Sequence, residues 1–341
     1  MSSSDFQVDV TVITVTYGDR WKFLKETIAS CLQEGAANIL VVDNGTKYGL
    51  RQLLEDNYPG KFSLIEMNGN QGSALGYKRG FEEFMKSGRE YALLMDDDNV
   101  LLPGSLSNLW RAYLDKTDGL SPALLSKTAV IGFRRDHQSD VAAGVSERRV
   151  NFRSGSWFGF HYIDIPYKIW RRLSFVKKAM QTRPLGEFIK MSVAPWSGLL
   201  FSRQLISHVG LPNENFVLYG DDTEYTWRIT NSGGDVYLCT DALIEDIDKS
   251  WNVKSRNGNS IDGLLNGASD FRLYYSVRNQ AYLESMVYHL GLQKRINRFL
   301  YIGLMRFFAI FRNKKAKFEL IQEAIKDGEA GRLGASVRYP I

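Results

Sequence analysis

The sequence predicts an α/β fold with a mostly parallel central sheet and a helical C-terminal extension. Strand-like and helix-like segments alternate four times in under 100 of the 341 residues, which is typical of βαβ units. The strand-like runs are continuously apolar, as in strands buried on both faces of a parallel sheet. From about residue 270 the apolar spacing is mainly helical.

Each strand is predicted from a short apolar run and each helix from apolar residues three or four positions apart. The first strand, residues 8–17, is a β-branched run that ends at Gly18. The next elements are expected as a helix at 21–33, a strand at 38–42 that stops at 43–45, a helix at 50–57, a strand at 62–66, a helix at 72–87 and a strand at 91–95. Beyond residue 120 we expect short strands and turns at 127–150, a strand or buried turn at 196–202, helices at 203–209 and 221–232, and a strand at 236–239.

The composition excludes several classes of protein. With 44% hydrophobic residues and 8 prolines, the chain is neither disordered nor fibrous. Its two cysteines, Cys31 and Cys239, exclude a disulfide framework and a multi-cysteine metal site. The first residues contain no basic and apolar leader, and no run of about 18 residues is apolar enough to span a membrane. We therefore expect a cytoplasmic protein.

The net charge of +5 is unevenly distributed. Two segments, 165–183 and 285–318, contain 14 basic residues and no acidic one, so the rest of the chain is acidic on balance. A DNA-binding domain is normally basic over its main face. The concentration of positive charge in two segments therefore argues against a nucleic-acid partner. It favours an anionic surface or a polyanionic ligand that binds to these segments.

Three consecutive carboxylates, Asp96 to Asp98, follow the fourth strand directly. They repel one another unless a cation is present. Alternate residues of an extended segment point the same way, so Asp96 and Asp98 can flank one divalent ion that also binds phosphate. The alternative is a solvated acidic turn that caps a helix.

Other polar clusters also follow predicted strands, where ligands bind in doubly wound sheets. Asp43 either forms an ordinary turn or accepts a hydrogen bond from a nucleoside. The turn at 68–72, which contains Asn70, either binds an anion through its amides or is a plain turn. Asp221 and Asp222 begin a helix, where they either cap it or provide a general base and its supporting acid.

In this order the clusters resemble the motifs of GT-A glycosyltransferases of family 2, over about residues 9–246. The similar segments are VTYGDR, VVDNGT, NGNQGSALGYKRGF, LLMDDDN, WSGLLFSR and YGDDTEYTWRI. Enzymes of this family invert the anomeric centre and use nucleotide-sugar donors. Two later segments, YYSVRN at 274–279 and GRLG at 331–334, resemble bacterial rhamnosyl- and galactofuranosyltransferases that build surface polysaccharides such as O-antigen.

The resemblance implies a Rossmann-like GT-A fold and a role for each matching residue. It implies that Thr16 and Asp43 contact the base and ribose, that Arg20 lies near the nucleotide, and that Tyr17, Asn70, Asp96 and Asp97 also bind the donor. Trp196 to Gly198 would line the sugar and acceptor pocket. Asp96 and Asp98 match the DXD motif that holds Mn²⁺ or Mg²⁺. Asp222 matches the catalytic base, supported by Asp221.

One position departs from the family pattern. The family commonly has a histidine after the strand that follows the acidic helix, and this histidine often ligates the metal. Residues 242–248 here are ALIEDID. Asp246 or Glu245 can substitute as an oxygen ligand; otherwise only the DXD residues, phosphate and water bind the ion.

The predicted reaction is a single displacement. A base removes the proton of an acceptor hydroxyl while the nucleoside diphosphate leaves from the other face of the sugar. The resemblance favours galactofuranose or rhamnose, transferred from a UDP- or dTDP-sugar to a lipid-linked or oligosaccharide acceptor. There are two alternatives. One is a nucleotidyltransferase, but the Gly-rich, basic triphosphate-binding loop expected after its first strand is missing from VTYGDRW. The other is a non-catalytic glycan-binding protein, and the intact acidic motifs argue against it.

We predict a catalytic domain at 1–250 and a helical region at 251–341. Within the first, the aromatic and basic insertion at 151–183 is expected either to bind the acceptor or to form an ordinary helical hairpin. Residues 294–312 are expected either to lie in the head-group region of an anionic membrane or to pack on the catalytic domain or another subunit. Arg306 interrupts their apolar run, which argues against a membrane span. If residues 294–312 lie in the head-group region, the protein is expected to be peripheral on the inner face of the bacterial plasma membrane.

Overall fold

The computed structural model describes residues 8–135, 137–138, 155–170, 187–248, 260–266, 269–287 and 291–341. The chain divides into two compact units. The first consists of Met1–Ala142, Gly186–Val217 and Asp221–Asp248, and the second of Ala143–Leu185, Leu218–Gly220 and Lys249–Ile341. The described part of the aromatic and basic stretch, 155–170, therefore belongs to the second unit. Its remaining residues lie outside the described part of the chain.

The first unit contains one sheet and the helices that cover it. Its strands are β1 (Val8–Gly18), β2 (Ala36–Thr46), β3 (Phe62–Glu66), β4 (Tyr91–Asp96), β5 (Asn99–Leu101), β6 (Thr128–Arg134), β7 (Phe188–Met191), β8 (Leu199–Ser202) and β9 (Asp235–Asp246). Its helices are α1 (Trp21–Gln33), α2 (Leu50–Asn57), α3 (Ser73–Ser87), α4 (Ser105–Thr117), α5 (Pro122–Leu125), α7 (Arg203–Val209) and α8 (Asp221–Asn231). Helix α6 belongs to the second unit and is given below.

The predicted alternation of strands and helices is confirmed, with differences at a few ends. The turn signal at 43–45 does not stop β2, which continues to Thr46 because its last residues still pair with β1. Strand β9 extends to Asp246 and pairs with three other strands. Helix α4 and the short strands β5 and β7 were not predicted from the sequence.

The sheet places three polar positions in one row. Its order is β3-β2-β1-β4-β8-β6-β9-β5, and β7 pairs with β9. The first four of these strands are parallel, as are β6 and β9, and short antiparallel pairs connect the two groups. In this register Thr16 is opposite Asp43, and Val15 is opposite Asp96. The carboxyl ends of β2, β1 and β4 therefore bring Asp43, Thr16 and the acidic run together.

Helices cover both faces of the sheet. Along β1, Val10 and Val12 point to one face, where they pack with α1, α2 and α4. Ile13 points to the other face and packs with α3, α7 and α8. This alternation follows from the two-residue period of a strand. It explains why the β1 run is continuously apolar, since both faces are buried.

Gly72, at the start of α3, cannot accept a side chain. Its φ is +87°, and an added Cβ would lie 2.0 Å from the carbonyl oxygen of Val217. We expect Gly72→Ala to lower the free energy of unfolding by about 3 kcal/mol or more, because both backbone segments must move. Gly60→Ala is the matched control: its φ is +70°, nothing lies within 4 Å of the added Cβ, and the expected cost is about 1 kcal/mol. Urea denaturation measures both, and equal losses would contradict the prediction.

The second unit is mainly helical, as predicted from residue 270 onward. Its helices are α6 (Ile165–Trp170), α9 (Ser260–Asn266), α10 (Asp270–Val287), α11 (Leu292–Phe311) and α12 (Lys315–Glu329), and a 3-10 turn at Tyr162–Asp164 precedes α6. The segments YYSVRN at 274–279 and GRLG at 331–334 contact each other, since Arg278 donates a hydrogen bond to the carbonyl oxygen of Gly334. Among the described residues, no helix is long and apolar enough to cross a membrane.

A buried ion pair joins two of these helices. Glu284 in α10 and Lys294 in α11 are both fully buried, and the ammonium nitrogen is 3.6 Å from a carboxylate oxygen. The other carboxylate oxygen accepts a hydrogen bond from the amide of Phe158 at 3.1 Å. Removing either charge would leave the other buried without its counter-ion. The pair therefore fixes α11 against α10 and the segment around Phe158.

Candidate active site

Asp97, the middle residue of the acidic run, is buried at the carboxyl ends of β1 and β4. It accepts a hydrogen bond from the hydroxyl of Thr16 at 2.7 Å and from Nε of Arg20 at 2.9 Å. Burial raises the pKa of Asp97 to about 7, against the opposing charge of Arg20. Its carboxylate thus serves to hold β1 and β4 together at the site, and the roles of Thr16 and Asp97 toward a nucleotide stay predictions.

Arg20 links three carboxylates. Besides Asp97, its guanidinium group donates to Asp98 at 2.6 Å and to Asp248 at 3.0 Å. The premise that residues 96–98 are extended is wrong, because β4 ends at Asp96 and a turn follows. Asp96 and Asp98 are nevertheless near enough that the charge of Asp96 contributes to raising the pKa of Asp98, after the larger effect of burial.

Asp96 is the most exposed of the three acids, with 37% of its side chain accessible. One carboxylate oxygen accepts a hydrogen bond from the hydroxyl of Tyr77 at 2.9 Å. The other lies 3.6 Å from the guanidinium group of Arg134. Its backbone amide donates to the hydroxyl of the buried Ser197 at 3.2 Å. Asp96 is therefore fixed from three sides while its carboxylate stays open to solvent.

Asp246, the predicted substitute for a metal-binding histidine, has protein partners at both oxygens. Oδ1 accepts hydrogen bonds from Arg134 at 2.6 Å and from Asn99 at 2.6 Å, and Oδ2 lies 2.7 Å from Nε2 of His137. Burial raises its pKa, but the His137 hydrogen bond and the charge of Arg134 outweigh burial and lower the pKa of Asp246 to about 2. Its role as a metal ligand stays a prediction.

The acidic residues fit a divalent cation by their chemistry. Mg²⁺ and Mn²⁺ prefer oxygen ligands, and Mg²⁺ is commonly held by one or two carboxylates together with substrate phosphates. Asp96 and Asp98 supply such carboxylates at the solvent-facing end of β4. In the part of the chain that the structure describes, no group of three acidic, histidine or cysteine side chains forms a complete metal site. The residues present thus suit an ion that phosphate and water also bind.

Asp221 is held rigidly at the start of α8. It is 2% exposed, and its Oδ2 accepts hydrogen bonds from the indole of Trp196 at 2.9 Å and from Ser73 at 3.3 Å. The ring of Trp196 packs 5.0 Å from the ring of Tyr77, which bonds Asp96. A continuous set of side chains thus connects the acidic run after β4 with the acidic pair on α8.

Asp222 differs from its neighbour in being partly exposed. Its Oδ1 accepts hydrogen bonds from the amide and hydroxyl of Thr223 at 2.6 and 3.2 Å. Within the described residues, Oδ2 accepts none. The surrounding protein and the charges of Asp221 and Asp96 raise the pKa of Asp222. A fixed carboxylate with one open oxygen and a raised pKa has the properties of a general base.

The remaining predicted donor residues lie around the carboxyl ends of β1 and β2. Asp43 accepts hydrogen bonds from the amides of Gly45 and Thr46 at 3.0 and 2.7 Å, so it shapes its own turn. The side chain of Tyr17 is 37% exposed and stacks near the Arg20 guanidinium, 5.4 Å from ring centre to carbon. Their contacts with a nucleotide stay predictions.

The turn of Asn70 is organised by its own hydrogen bonds. The amide of Gly72 donates to the Asn70 side chain, and the amide of Gln71 donates to the side chain of Asn44. The amide of Ala74 donates to the carbonyl oxygen of Val217. These amides are used inside the protein, which agrees with the plain-turn alternative. The assignment of Asn70 to the donor stays a prediction.

Several residues of the site were missed from the sequence. Arg134 is the last residue of β6, His137 follows that strand, and Asp248 follows β9. The sequence around each gives no motif. Only their positions at strand ends of a common sheet indicate a place at the site. Tyr77 and Ser73 were missed for a different reason, because isolated hydroxyls in helices are common.

Comparison with known proteins decides the family. The model of glycosyl transferase family 2 matches residues 11–205, more than half of the chain. The chain belongs to glycosyl transferase family 2. It is accordingly a glycosyltransferase, and the matched region includes Asp43, Thr16, the acidic run from Asp96 to Asp98, and Trp196.

Two curated relatives of this family 2 enzyme are glycosyltransferases. The dTDP-rhamnosyl transferase RfbF of Shigella flexneri is 25% identical over 336 residues, which are 97% of this chain and 98% of the relative. The glycosyltransferase AglJ of Haloferax volcanii is 25% identical over 193 residues, which are 54% of this chain and 57% of the relative. The chain thus matches one relative over its full length and the other over little more than half.

A solved structure shows the same fold for the family 2 enzyme. The crystal structure of GalNAc-T7 with UDP, GalNAc and Mn²⁺ aligns with a TM-score of 0.53 at 11% identity, over 96% of this chain and 56% of that one. The predicted GT-A fold is therefore confirmed. At this identity the likeness concerns the fold alone.

Proposed function

We propose that this glycosyltransferase moves rhamnose or galactofuranose from a dTDP- or UDP-sugar to a hydroxyl group of a lipid-linked or oligosaccharide acceptor, with inversion at the anomeric carbon. The observation that supports it best is the arrangement of Asp221 and Asp222. One carboxylate is buried and held by Trp196 and Ser73, and the other is partly exposed with a free oxygen. The full-length likeness to RfbF, a dTDP-rhamnosyl transferase, favours rhamnose as the first sugar to test.

In the proposed reaction Asp222 takes the proton of the acceptor hydroxyl. As that oxygen bonds to the anomeric carbon, the bond from this carbon to the donor phosphate breaks on the opposite face. Asp221 keeps Asp222 in place, and its own position is fixed by the Trp196 hydrogen bond. This displacement needs no covalent intermediate, so one step suffices.

The leaving diphosphate is proposed to lie by the acidic run after β4. Asp96 and Asp98 would hold Mn²⁺ or Mg²⁺, which when bound neutralises the developing charge of the diphosphate. Arg20 and Arg134 already balance part of the negative charge of this region through Asp97, Asp98 and Asp246. A lipid-linked acceptor would place the reaction at the inner face of the plasma membrane.

A donor screen tests the proposed function. The purified protein is incubated with dTDP-rhamnose, UDP-galactofuranose and other dTDP- and UDP-sugars, with Mn²⁺ or Mg²⁺, and release of the nucleoside diphosphate is measured with and without oligosaccharide acceptors. We expect acceptor-dependent release from one donor class and, by NMR of the product, an inverted anomeric centre.

Two controls sharpen the screen. Asp222→Asn should lose the acceptor-dependent release, whereas Asp118→Asn, at an exposed acid outside the site, should retain it. A retained anomeric configuration would contradict the proposed displacement. Release of pyrophosphate from dTTP or UTP with a sugar phosphate, in place of diphosphate release, would assign the protein to the nucleotidyltransferases.

A further inference from the structure

Helix α11 has one face that packs against its own unit and one face that does not. The inner face is formed by Lys294, Asn297, Tyr301, Met305 and Ala309, all of them buried. The opposite side, here called the outer face, is exposed and strongly apolar. It consists of Leu292, Ile296, Phe299, Leu300, Leu304, Phe307, Ile310 and Phe311. Three of these side chains, Leu292, Phe299 and Phe311, are more than three quarters exposed.

The outer face exceeds what a protein surface normally leaves to water. Single exposed hydrophobic residues are ordinary, but a continuous stripe along a 20-residue helix marks an interaction site. The helix is anchored, because its inner face contains the buried Lys294 of the ion pair with Glu284. Asn297 also donates a hydrogen bond to the carbonyl oxygen of Gly155 at 2.7 Å. The stripe is therefore presented by a fixed helix.

The charges beside the stripe indicate the partner. Arg295 and Arg306 are exposed on α11, and among the described residues neither forms an ion pair with an acid. Between residues 285 and 318 the sequence contains no acidic residue. A surface that combines bulky apolar side chains with unpaired arginines is complementary to anionic lipid head groups over acyl chains.

A neighbouring segment of the same unit has similar character. The amide of Tyr162 donates to the side chain of Asn297 at 2.9 Å, so residues 155–170 pack directly on α11. Ile169 and Trp170 in this segment are 61% and 48% exposed. Its one acid, Asp164, is buried. The segment adds apolar surface to the unit and no exposed negative charge.

A second copy of the chain fits the outer face less well. A twofold contact places the same patch of both chains against each other. Arg295 and Arg306 would then meet a surface whose helix has no acid to pair with them. We propose that the outer face of α11 binds in the plane of an anionic membrane, with its phenylalanine side chains inserted among the lipids and Arg295 and Arg306 at the head groups.

Vesicle flotation of the full-length protein, without donor or acceptor, tests the proposal independently of the proposed reaction. The probes are phosphatidylcholine vesicles with and without phosphatidylglycerol. We expect binding to the anionic vesicles, weakened by salt. Phe307→Gln with Phe311→Gln removes apolar contact, and Arg295→Gln with Arg306→Gln removes charge. Each double variant should lower the vesicle partition coefficient by about tenfold or more.

Matched controls use the first unit. Leu114→Gln with Leu124→Gln alters exposed leucines, and Lys25→Gln with Arg111→Gln alters exposed basic residues; both should bind as the wild type does. Circular dichroism verifies that every variant is folded. Unchanged partitioning of the α11 variants overturns the proposal. A different pattern also overturns it: the wild type does not bind vesicles but forms a dimer, and the Phe307→Gln, Phe311→Gln double variant is monomeric. That result would assign the outer face to a second copy of the chain.

Discussion

Replacing Asp222 by asparagine is expected to lower the turnover of sugar transfer by about 10²- to 10⁴-fold, the usual contribution of a general base. Asparagine keeps the shape of the side chain and can still accept the Thr223 hydrogen bonds, but it cannot take a proton. We expect the fold and donor affinity to stay close to those of the wild type. Steady-state kinetics and nucleotide titration measure the two effects separately, with Asp118→Asn as the control.

The pH dependence of turnover is a second test of the role of Asp222. Because desolvation by the surrounding protein and the neighbouring charges raise the pKa of Asp222, the residue loses its proton at higher pH than an ordinary aspartate, whose pKa is about 3.9. Turnover should therefore fall as the pH is lowered below neutrality. The residual rate of Asp222→Asn should lack this acid limb. A variant with near-normal turnover, or with the limb intact, would show that another group is the base.

Replacing Asp96 by asparagine should remove most of the metal dependence. The amide still accepts the Tyr77 hydrogen bond, but it no longer supplies an anionic ligand to a divalent cation. Loss of second-shell partners already costs 10- to 100-fold in metal affinity, so we expect at least a ~100-fold loss for this position. The measurements are turnover and the calorimetric titration of Mn²⁺ into protein saturated with nucleoside diphosphate.

Chelation provides the control for the Asp96 variant. Treatment of the wild type with EDTA should abolish transfer, and added Mn²⁺ or Mg²⁺ should restore it. The Asp96→Asn protein should respond weakly to both additions. If the variant titrates Mn²⁺ as tightly as the wild type does, Asp96 is not a ligand and the ion is bound elsewhere.

The sequence was most informative about the parallel half of the sheet. Apolar runs such as residues 8–17 predict buried strands directly, and in parallel strands the carboxyl ends meet at one edge. The meeting of Asp43, Thr16 and the acidic run follows from these two rules. The pair Asp221 and Asp222 was also found, since helix starts are recognisable from acidic residues.

Other features of the site depend on pairings that no local pattern encodes. The sequence pattern predicts an extended segment where a turn follows Asp96, because three aspartates give no signal for the point where a strand ends. The hydrogen bonds of Asp246 come from Arg134, His137 and Asn99, and only the parallel pairing of β6 with β9 and the contact of β5 with β9 bring them together. Composition and spacing contain no information about such long-range pairings.

Arg20 has a consequence for the stability of the enzyme. It binds carboxylates that lie 77, 78 and 228 residues further along the chain, at Asp97, Asp98 and Asp248. The site therefore needs segments that are far apart in the first unit to be folded together. A ligand that binds only the folded site raises the free energy of unfolding of this unit. The increase grows with the logarithm of the ratio of ligand concentration to dissociation constant. Heat resistance of the protein thus becomes a measure of donor affinity, available for donors that are never turned over.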